Sequence, residues 1–116
     1  MADVLVDTDV IVDHLRGHAR FDRAGDHAFY SVVTRAELFA GRGVDEGVVR
    51  TLLGPMVEVP LDRELAESAG RIRREVGVSL PDAVVAATAL AKAIPVVTRN
   101  RRHFEGVRGL QVRAPG

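Results

Sequence analysis

The alternation of short apolar runs with helical segments is the feature that most constrains the fold of this 116-residue chain. Residues 4–6 form a β-rich run that ends at Asp7, and apolar residues then recur at helical spacing as far as Gly17. Residues 29–33 indicate a second strand, which leads into a second helix that ends near Gly41. Strands that alternate with helices favour right-handed crossovers, and therefore a mostly parallel sheet with helices on both faces.

The second half of the chain continues this pattern. A long amphipathic helix closed by a glycine is followed by a nearly uniformly apolar helix, which we expect to be buried. The last strand is expected at an edge of the sheet. The predicted strands of this half are 56–59, 95–98 and 110–112, and its helices are 46–53, 62–77 and one that begins at Ser79.

Length and composition limit the class of protein. The size is that of one ordinary domain, so we expect a single domain over residues 1–116, and 47% apolar with 28% charged residues is typical of a folded globular chain. The absence of cysteine leaves oxygen and imidazole as metal ligands, which favours hard cations such as Mg²⁺ or Mn²⁺. No apolar run is long enough to cross a membrane and no signal segment is evident, which predicts a cytoplasmic protein.

Charge is unevenly distributed although the net charge is zero. Residues 83–116 contain six basic side chains and one acidic one, so the excess of acids lies in the first 82 residues. A basic stretch beside an acidic one suits a site that holds cations and contacts a phosphate backbone, although a solvated surface produces the same pattern.

Three acids lie where strands end or helices begin. Asp7 follows the first strand, Glu37 stands three residues after Thr34 in the predicted first turn of the second helix, and Asp82 lies in the first turn of the buried helix. Each has a structural alternative, as a helix cap, a capping-box partner or a partner of the helix dipole. Because sites in parallel sheets lie at the carboxyl ends of the strands, we expect these acids to converge with Asn100, which also follows a strand.

Such a cluster has a definite chemistry. Two or three carboxylates together with a substrate phosphate are sufficient to hold Mg²⁺. The cation would activate a water molecule and neutralise charge on a phosphodiester. The acids therefore predict metal-assisted phosphodiester hydrolysis.

Four short motifs also resemble a known family. The segments VDTDV at 6–10, TRAEL at 34–38, PDA at 81–83 and TRN at 98–100 occur in the order and approximate spacing of the PIN-domain family, and the chain most resembles its VapC toxins. The resemblance implies an α/β/α sandwich around a mostly parallel sheet of four to five strands. It also implies a Mg²⁺- or Mn²⁺-dependent endoribonuclease that cleaves RNA and inhibits translation or growth, a homodimer, and a small VapB-type antitoxin as partner.

By this resemblance Asp7, Glu37 and Asp82 bind the metal, and Asn100 stands where many relatives carry a fourth acid. An amide oxygen can coordinate a cation or position a water molecule, but it adds no formal charge, which weakens the case for a second metal ion. Asp9 is a further departure, since Ser or Asn is more usual there.

Three other functions fit parts of the sequence. A receiver domain needs a lysine after a late strand, but Lys92, the one lysine, lies in a predicted helix. A haloacid-dehalogenase-type phosphatase would explain Asp7 and Asp9, yet it needs a late acidic pair, and only Glu105 follows Asp82. A PIN-like module that binds RNA or protein without efficient cleavage is the alternative that Asn100 keeps open.

The first helices contain more apolar side chains than one small core readily hides. This surplus predicts either a fuller core or a groove for a partner. The residues concerned are Val10, Ile11, Leu15, Leu38, Phe39, Val49, Leu52 and Leu53.

Overall fold

A computed structural model describes residues 2–17, 21 and 26–115. Five short strands form its centre: β1 (Asp3–Val6), β2 (His27–Ser31), β3 (Val57–Val59), β4 (Val96–Val97) and β5 (Val112–Arg113). Their order in the sheet is β3-β2-β1-β4-β5, and every neighbouring pair is parallel. The predicted parallel sheet is therefore confirmed, with β1 in its middle and the last strand at an edge.

Helices cover both faces of this sheet, which gives the α/β/α arrangement that the sequence predicts. Alternate side chains of β1 point to opposite faces: Val4 and Val6 pack in one core cluster, and Leu5 packs in another. The helices are α1 (Thr8–Leu15), α2 (Val32–Phe39), α3 (Glu46–Leu53), α4 (Arg63–Val76) and α5 (Leu80–Lys92), and a short 3-10 helix covers Arg101–His103. The first cluster also contains residues of α1, α2 and α3, and the second contains residues of α5, with residues of α4 packed against it.

The boundaries of α4 and α5 follow from their caps. Asp62 accepts a hydrogen bond from the backbone N–H of Leu65 at 2.9 Å, and Gly77 ends α4 with a φ of 83°, a left-handed conformation that suits glycine. Ser79 caps α5, and residues 83–89 of that helix are all buried. This arrangement places Asp82 in the first turn of a buried helix, as predicted.

The start of α2 differs from the prediction. The strand β2 ends at Ser31, whose side chain accepts from the backbone N–H of Val33 at 3.2 Å, so Val32 and Val33 are helical although their β-branched side chains favour strands. Thr34 is consequently a buried residue inside the helix. The predicted capping box with Glu37 is wrong, and Glu37 lies in the second turn of α2.

Smaller differences concern the end of the chain. The last strand is Val112–Arg113, two residues later than its predicted start, and β4 is confined to Val96–Val97 within the predicted 95–98. Within the described part of the chain, no helix has the length and apolar character needed to cross a membrane.

Candidate active site at the carboxyl edge of the sheet

Asp7 lies at the centre of the candidate site, directly after the middle strand β1. Its side chain is 5% exposed and caps α1 by accepting from the backbone N–H of Thr8 at 2.8 Å. The other carboxylate oxygen accepts from Thr98 Oγ1 at 2.9 Å, and the Asp7 backbone N–H donates to Val97 O at 2.9 Å. Neutral donors from α1 and the end of β4 therefore hold both oxygens of a buried carboxylate.

The raised pKa of Asp7 reflects a buried negative charge that those neutral donors do not compensate. Burial, the largest cause, and the negative charges of Asp9 and, more weakly, Asp82 together raise the pKa from 3.8 to about 7, although the hydrogen bonds from Thr98 and Thr8 act to lower it. Among the described residues, Asp7 has no cationic side chain as a partner. A cation bound beside Asp7 would favour its ionised form.

Glu37 is connected to Asp7 through a threonine. Thr8 Oγ1 donates to Glu37 Oε1 at 2.7 Å and lies 2.9 Å from Thr34 Oγ1. Because the Thr8 proton is directed at Glu37, the Thr34 hydroxyl is the donor in the second contact. The threonines therefore link α1 to α2 and hold Glu37 against Thr8, the residue that follows Asp7.

Asp82 reaches the same edge of the sheet from α5. One of its oxygens lies 3.0 Å from Nδ1 of His103, which belongs to the short 3-10 helix after β4. The Asp82 side chain is only 21% exposed, and its charge acts on Asp7. His103 thus has a partner in the site.

Asn100 contacts Asp9 rather than Asp7. Its side-chain Nδ2 donates to Asp9 Oδ2 at 3.0 Å, and its backbone N–H donates to Thr98 Oγ1 at 3.0 Å. The backbone N–H of Arg99 donates to the same Asp9 oxygen at 3.1 Å. The segment after β4 therefore surrounds Asp9 with donors.

The four predicted site residues lie at one edge of the sheet, but the predicted metal ligands do not form a ready-made triad. Within residues 2–17, 21 and 26–115, no group of three or more His, Asp or Glu side chains is close enough to hold a metal ion. Glu37 contacts Thr8, and Asp82 contacts His103. The donor set of carboxylate, amide and hydroxyl oxygens nevertheless suits a hard cation such as Mg²⁺. The fit rests on this donor chemistry and on the uncompensated charge of Asp7.

Two features of the site went beyond the sequence interpretation. The sequence did not predict the hydrogen bonds of Thr8 and Thr34, nor any partner for Asp9. The spacing of three residues between Thr34 and Glu37 places both on one face of a helix, and this signal could have identified Thr34. The contacts of Asp9 span about 90 residues of chain, so no local pattern could have identified them.

A groove of about 420 Å³ lies beside the site and includes Glu37 in its lining. Of the surplus apolar residues of the first helices, Leu15, Leu38 and Val49 line the groove, whereas Val10 and Ile11 are buried in the core. Both sequence expectations are thus met in part: all eight of these side chains pack in or against the core, and a groove remains between α1, α2 and α3. The apolar lining is Val12, Leu15, Leu38, Val44, Val48 and Val49.

Comparison with known proteins identifies the family. The PIN domain family model matches residues 4–110. Ribonuclease VapC1 of Methanocaldococcus jannaschii is 31% identical over 94% of this chain and 85% of its own length, and Ribonuclease VapC19 of Mycobacterium tuberculosis is 30% identical over 86% and 90%. The DNA-bound VapBC of Salmonella typhimurium has the same fold, with a TM-score of 0.82 at 21% identity and 98% coverage of both chains. The chain belongs to the PIN domain family and is similar to its VapC ribonucleases.

Proposed function

We propose that this protein is a Mg²⁺- or Mn²⁺-dependent endoribonuclease and the toxin component of a type II toxin–antitoxin system. The observation that supports the chemistry best is Asp7, a buried carboxylate with two further acids acting on it and no cationic partner among the described residues. The names of the curated relatives, both VapC ribonucleases, support RNA as the substrate. Such a substrate places the activity in the cytoplasm.

The residues of the site divide the work in this proposal. Asp7 and Asp82 would hold the cation, and Glu37 would ligate it directly or through water. When bound, the cation supplies an activated water molecule and neutralises charge on the phosphodiester. Thr98 fixes the orientation of Asp7, and Thr8 fixes that of Glu37, through the hydrogen bonds described above.

The basic side chains near the site suit an RNA substrate. Arg101 and Arg102 are exposed on the 3-10 helix that also bears His103. Neither makes an ion pair with any described residue, so both guanidinium groups are free to contact phosphates. They would hold the RNA backbone next to the acids without reading its sequence.

The test is cleavage of total cellular RNA by purified protein with and without Mg²⁺ or Mn²⁺. We expect cleavage only with the cation, and a loss of at least roughly 100-fold in Asp82→Asn, as when one transition-state-stabilising group is removed from an enzyme. Asp3→Asn is the matched control, because it removes the same charge from an exposed residue at the opposite edge of the sheet. Equal cleavage by the parent and Asp82→Asn would refute the proposal.

Two observations support a second candidate function. The amide of Asn100, and the lack of an assembled triad of acids among the described residues, fit a module that binds RNA or protein without efficient cleavage. In that case the parent would bind RNA but cut it no faster than Asp82→Asn does. The cleavage assay therefore decides between the two candidates.

A VapB-type antitoxin is the partner that we propose for the groove beside the site. Solved structures similar to this chain are toxin–antitoxin complexes. Because Glu37 lines the groove, an occupant would also cover one side of the site. We expect the product of a neighbouring short reading frame to form a complex that blocks cleavage and that Val48→Asp weakens. Val57→Asp, an exposed valine on an edge strand, is the control, and sedimentation of the free toxin tests the homodimer that the resemblance implies.

A further inference from the structure

We propose that Asp9 supplies a further carboxylate to the cation site and that Asn100 positions it. In the PIN-domain pattern that the chain resembles, many relatives carry the acid at position 100. In this chain the acid stands at position 9 and the amide at position 100, and one hydrogen bond joins the two side chains. This inference rests on the proposed metal-dependent function. It assigns a role to two residues, Asp9 and Asn100, that depart from the resemblance.

The two oxygens of Asp9 have different surroundings. Oδ2 accepts from the backbone N–H of Arg99 at 3.1 Å and from Asn100 Nδ2 at 3.0 Å, which fixes the orientation of the carboxylate. Oδ1 has a single contact with the described residues, a long one of 3.5 Å from Thr98 Oγ1. This oxygen therefore keeps its capacity to bind a cation.

Thr98 brings the carboxylates of Asp7 and Asp9 together. Its hydroxyl oxygen lies 2.9 Å from Asp7 Oδ2 and 3.4 Å from Asp9 Oδ2. A hydroxyl has only one proton, and the shorter distance assigns it to Asp7. The carboxylates of Asp7 and Asp9 thus face the same hydroxyl.

Arg99, whose backbone contacts Asp9, does not serve as its counterion. The guanidinium of Arg99 pairs with Asp13 at 2.8 Å, so Arg99 offers Asp9 only its backbone N–H. Among the described residues, no Lys, Arg or His side chain pairs with Asp9. The carboxylate of Asp9 is therefore fixed in orientation, but its charge has no counterion among the described residues. A divalent cation would supply that counterion.

The contact between Asp9 and Asn100 predicts how substitutions combine. Asn100→Asp would bring two carboxylates to the 3.0 Å distance that now joins Asn100 Nδ2 to Asp9 Oδ2, and their charges would repel each other. The single variant Asn100→Asp therefore does more than add a metal ligand. In the double variant Asp9→Asn/Asn100→Asp, an amide again faces a carboxylate and can donate to it. The exchange should therefore restore what Asp9→Asn alone removes.

The test is isothermal titration of Mn²⁺ into the purified proteins without RNA. We expect Asp9→Asn to weaken Mn²⁺ binding by at least about 10-fold, in the range that metal-site partners contribute, and Asn100→Ala to weaken it less. The double variant should return to within about threefold of the parent, because the coupled pair is restored. Asp3→Asn, which removes the same charge at the opposite edge, should bind like the parent.

The outcomes separate this inference from the proposed function. A parent that binds no Mn²⁺ refutes the metal-dependent function itself. A parent that binds Mn²⁺ while Asp9→Asn binds equally well overturns only the role of Asp9. A double variant that binds no better than Asp9→Asn overturns the exchange. If Asp9→Asn melts below the assay temperature, Asn100→Ala decides, and unchanged Mn²⁺ affinity in that variant counts against the inference.

Discussion

Two polar networks in this molecule differ in whether their carboxylate has a counterion. In the first, which joins β2, α2 and β3, the buried Tyr30 hydroxyl donates to Glu58 Oε1 at 3.0 Å and accepts from Arg35 Nη2 at 2.9 Å. Arg35 Nε also donates to the same Glu58 oxygen at 2.6 Å. The hydrogen bonds from Arg35 hold the pKa of Glu58 below its ordinary value, so this carboxylate has its counterion within the fold.

The second network surrounds Asp7, for which no described residue supplies such a counterion. Threonine hydroxyls and backbone N–H groups orient its acids, and the pKa of Asp7 is raised to about 7 by burial and by the charges of Asp9 and Asp82. Where a carboxylate only joins elements of the fold, as Glu58 does, the chain supplies the opposite charge. Where a buried carboxylate has no counterion, as at Asp7, the folded state is less stable, and such positions are typical of functional sites. The predictions below test this contrast, from the largest expected effect to the smallest.

Asp7→Asn should move activity and stability in opposite directions. We expect RNA cleavage to fall by roughly 100-fold or more, because a ligand and its charge are lost. Without divalent cations at pH 8, the unfolding free energy should rise by up to a few kcal/mol, because a pKa raised by about three units is a destabilisation at high pH. Cleavage rates and urea denaturation measure the two effects, and a variant that loses both activity and stability would contradict the interpretation.

The stability of the metal-free parent should depend on pH in a defined window. The folded pKa of Asp7, about 7, lies above its ordinary value of 3.8, so the folded state binds the proton more tightly. The contribution of this group is therefore fully present below about pH 4 and is lost as the pH rises to about 7, at about 1.4 kcal/mol per pH unit. The difference between the parent and Asp7→Asn isolates this contribution, and a difference that is independent of pH between 4 and 7 would argue against it.

Breaking the Arg35 network should affect stability but not metal binding. Arg35→Ala removes a donor to the Tyr30 hydroxyl and the counterion of Glu58, which we expect to cost about 1–2 kcal/mol of unfolding free energy, given that Arg35 and Glu58 are partly exposed. The control is Arg50→Ala, which breaks an exposed pair with Glu46 one helical turn away and should cost about 0.5 kcal/mol or less. Urea denaturation measures both, and equal losses would mean that the buried hydroxyl adds nothing.

The sequence predicted the elements whose signals are local. The starts of α4 and α5 near Asp62 and Ser79, the closing glycine of α4 and the helix α3 are all where the pattern places them. The sheet-edge rule likewise predicted that Asp7, Asp82 and Asn100 would lie at one edge of the sheet, because in parallel sheets this edge collects the strand ends.

The details that failed depend on long-range contacts. A capping signal at Thr34 competed with one at Ser31, and the buried contact of Thr34 with Thr8, 26 residues away, belongs to the arrangement in which Ser31 is the cap. The division of Arg99 between Asp13 and Asp9 is equally invisible in sequence, since it depends on where a side chain and its own backbone N–H point.

The central claim is that the fold leaves the charge of Asp7 to be compensated by a divalent cation. The most direct measurement is the melting temperature of the parent and of Asp7→Asn with and without Mg²⁺, at pH 5 and at pH 7.5. The account predicts a rise for the parent at pH 7.5, about 2.7 kcal/mol in stability at 100 times the dissociation constant, and much less at pH 5, where a proton occupies Asp7. A parent that Mg²⁺ does not stabilise, or an Asp7→Asn variant that it stabilises equally, would contradict the account.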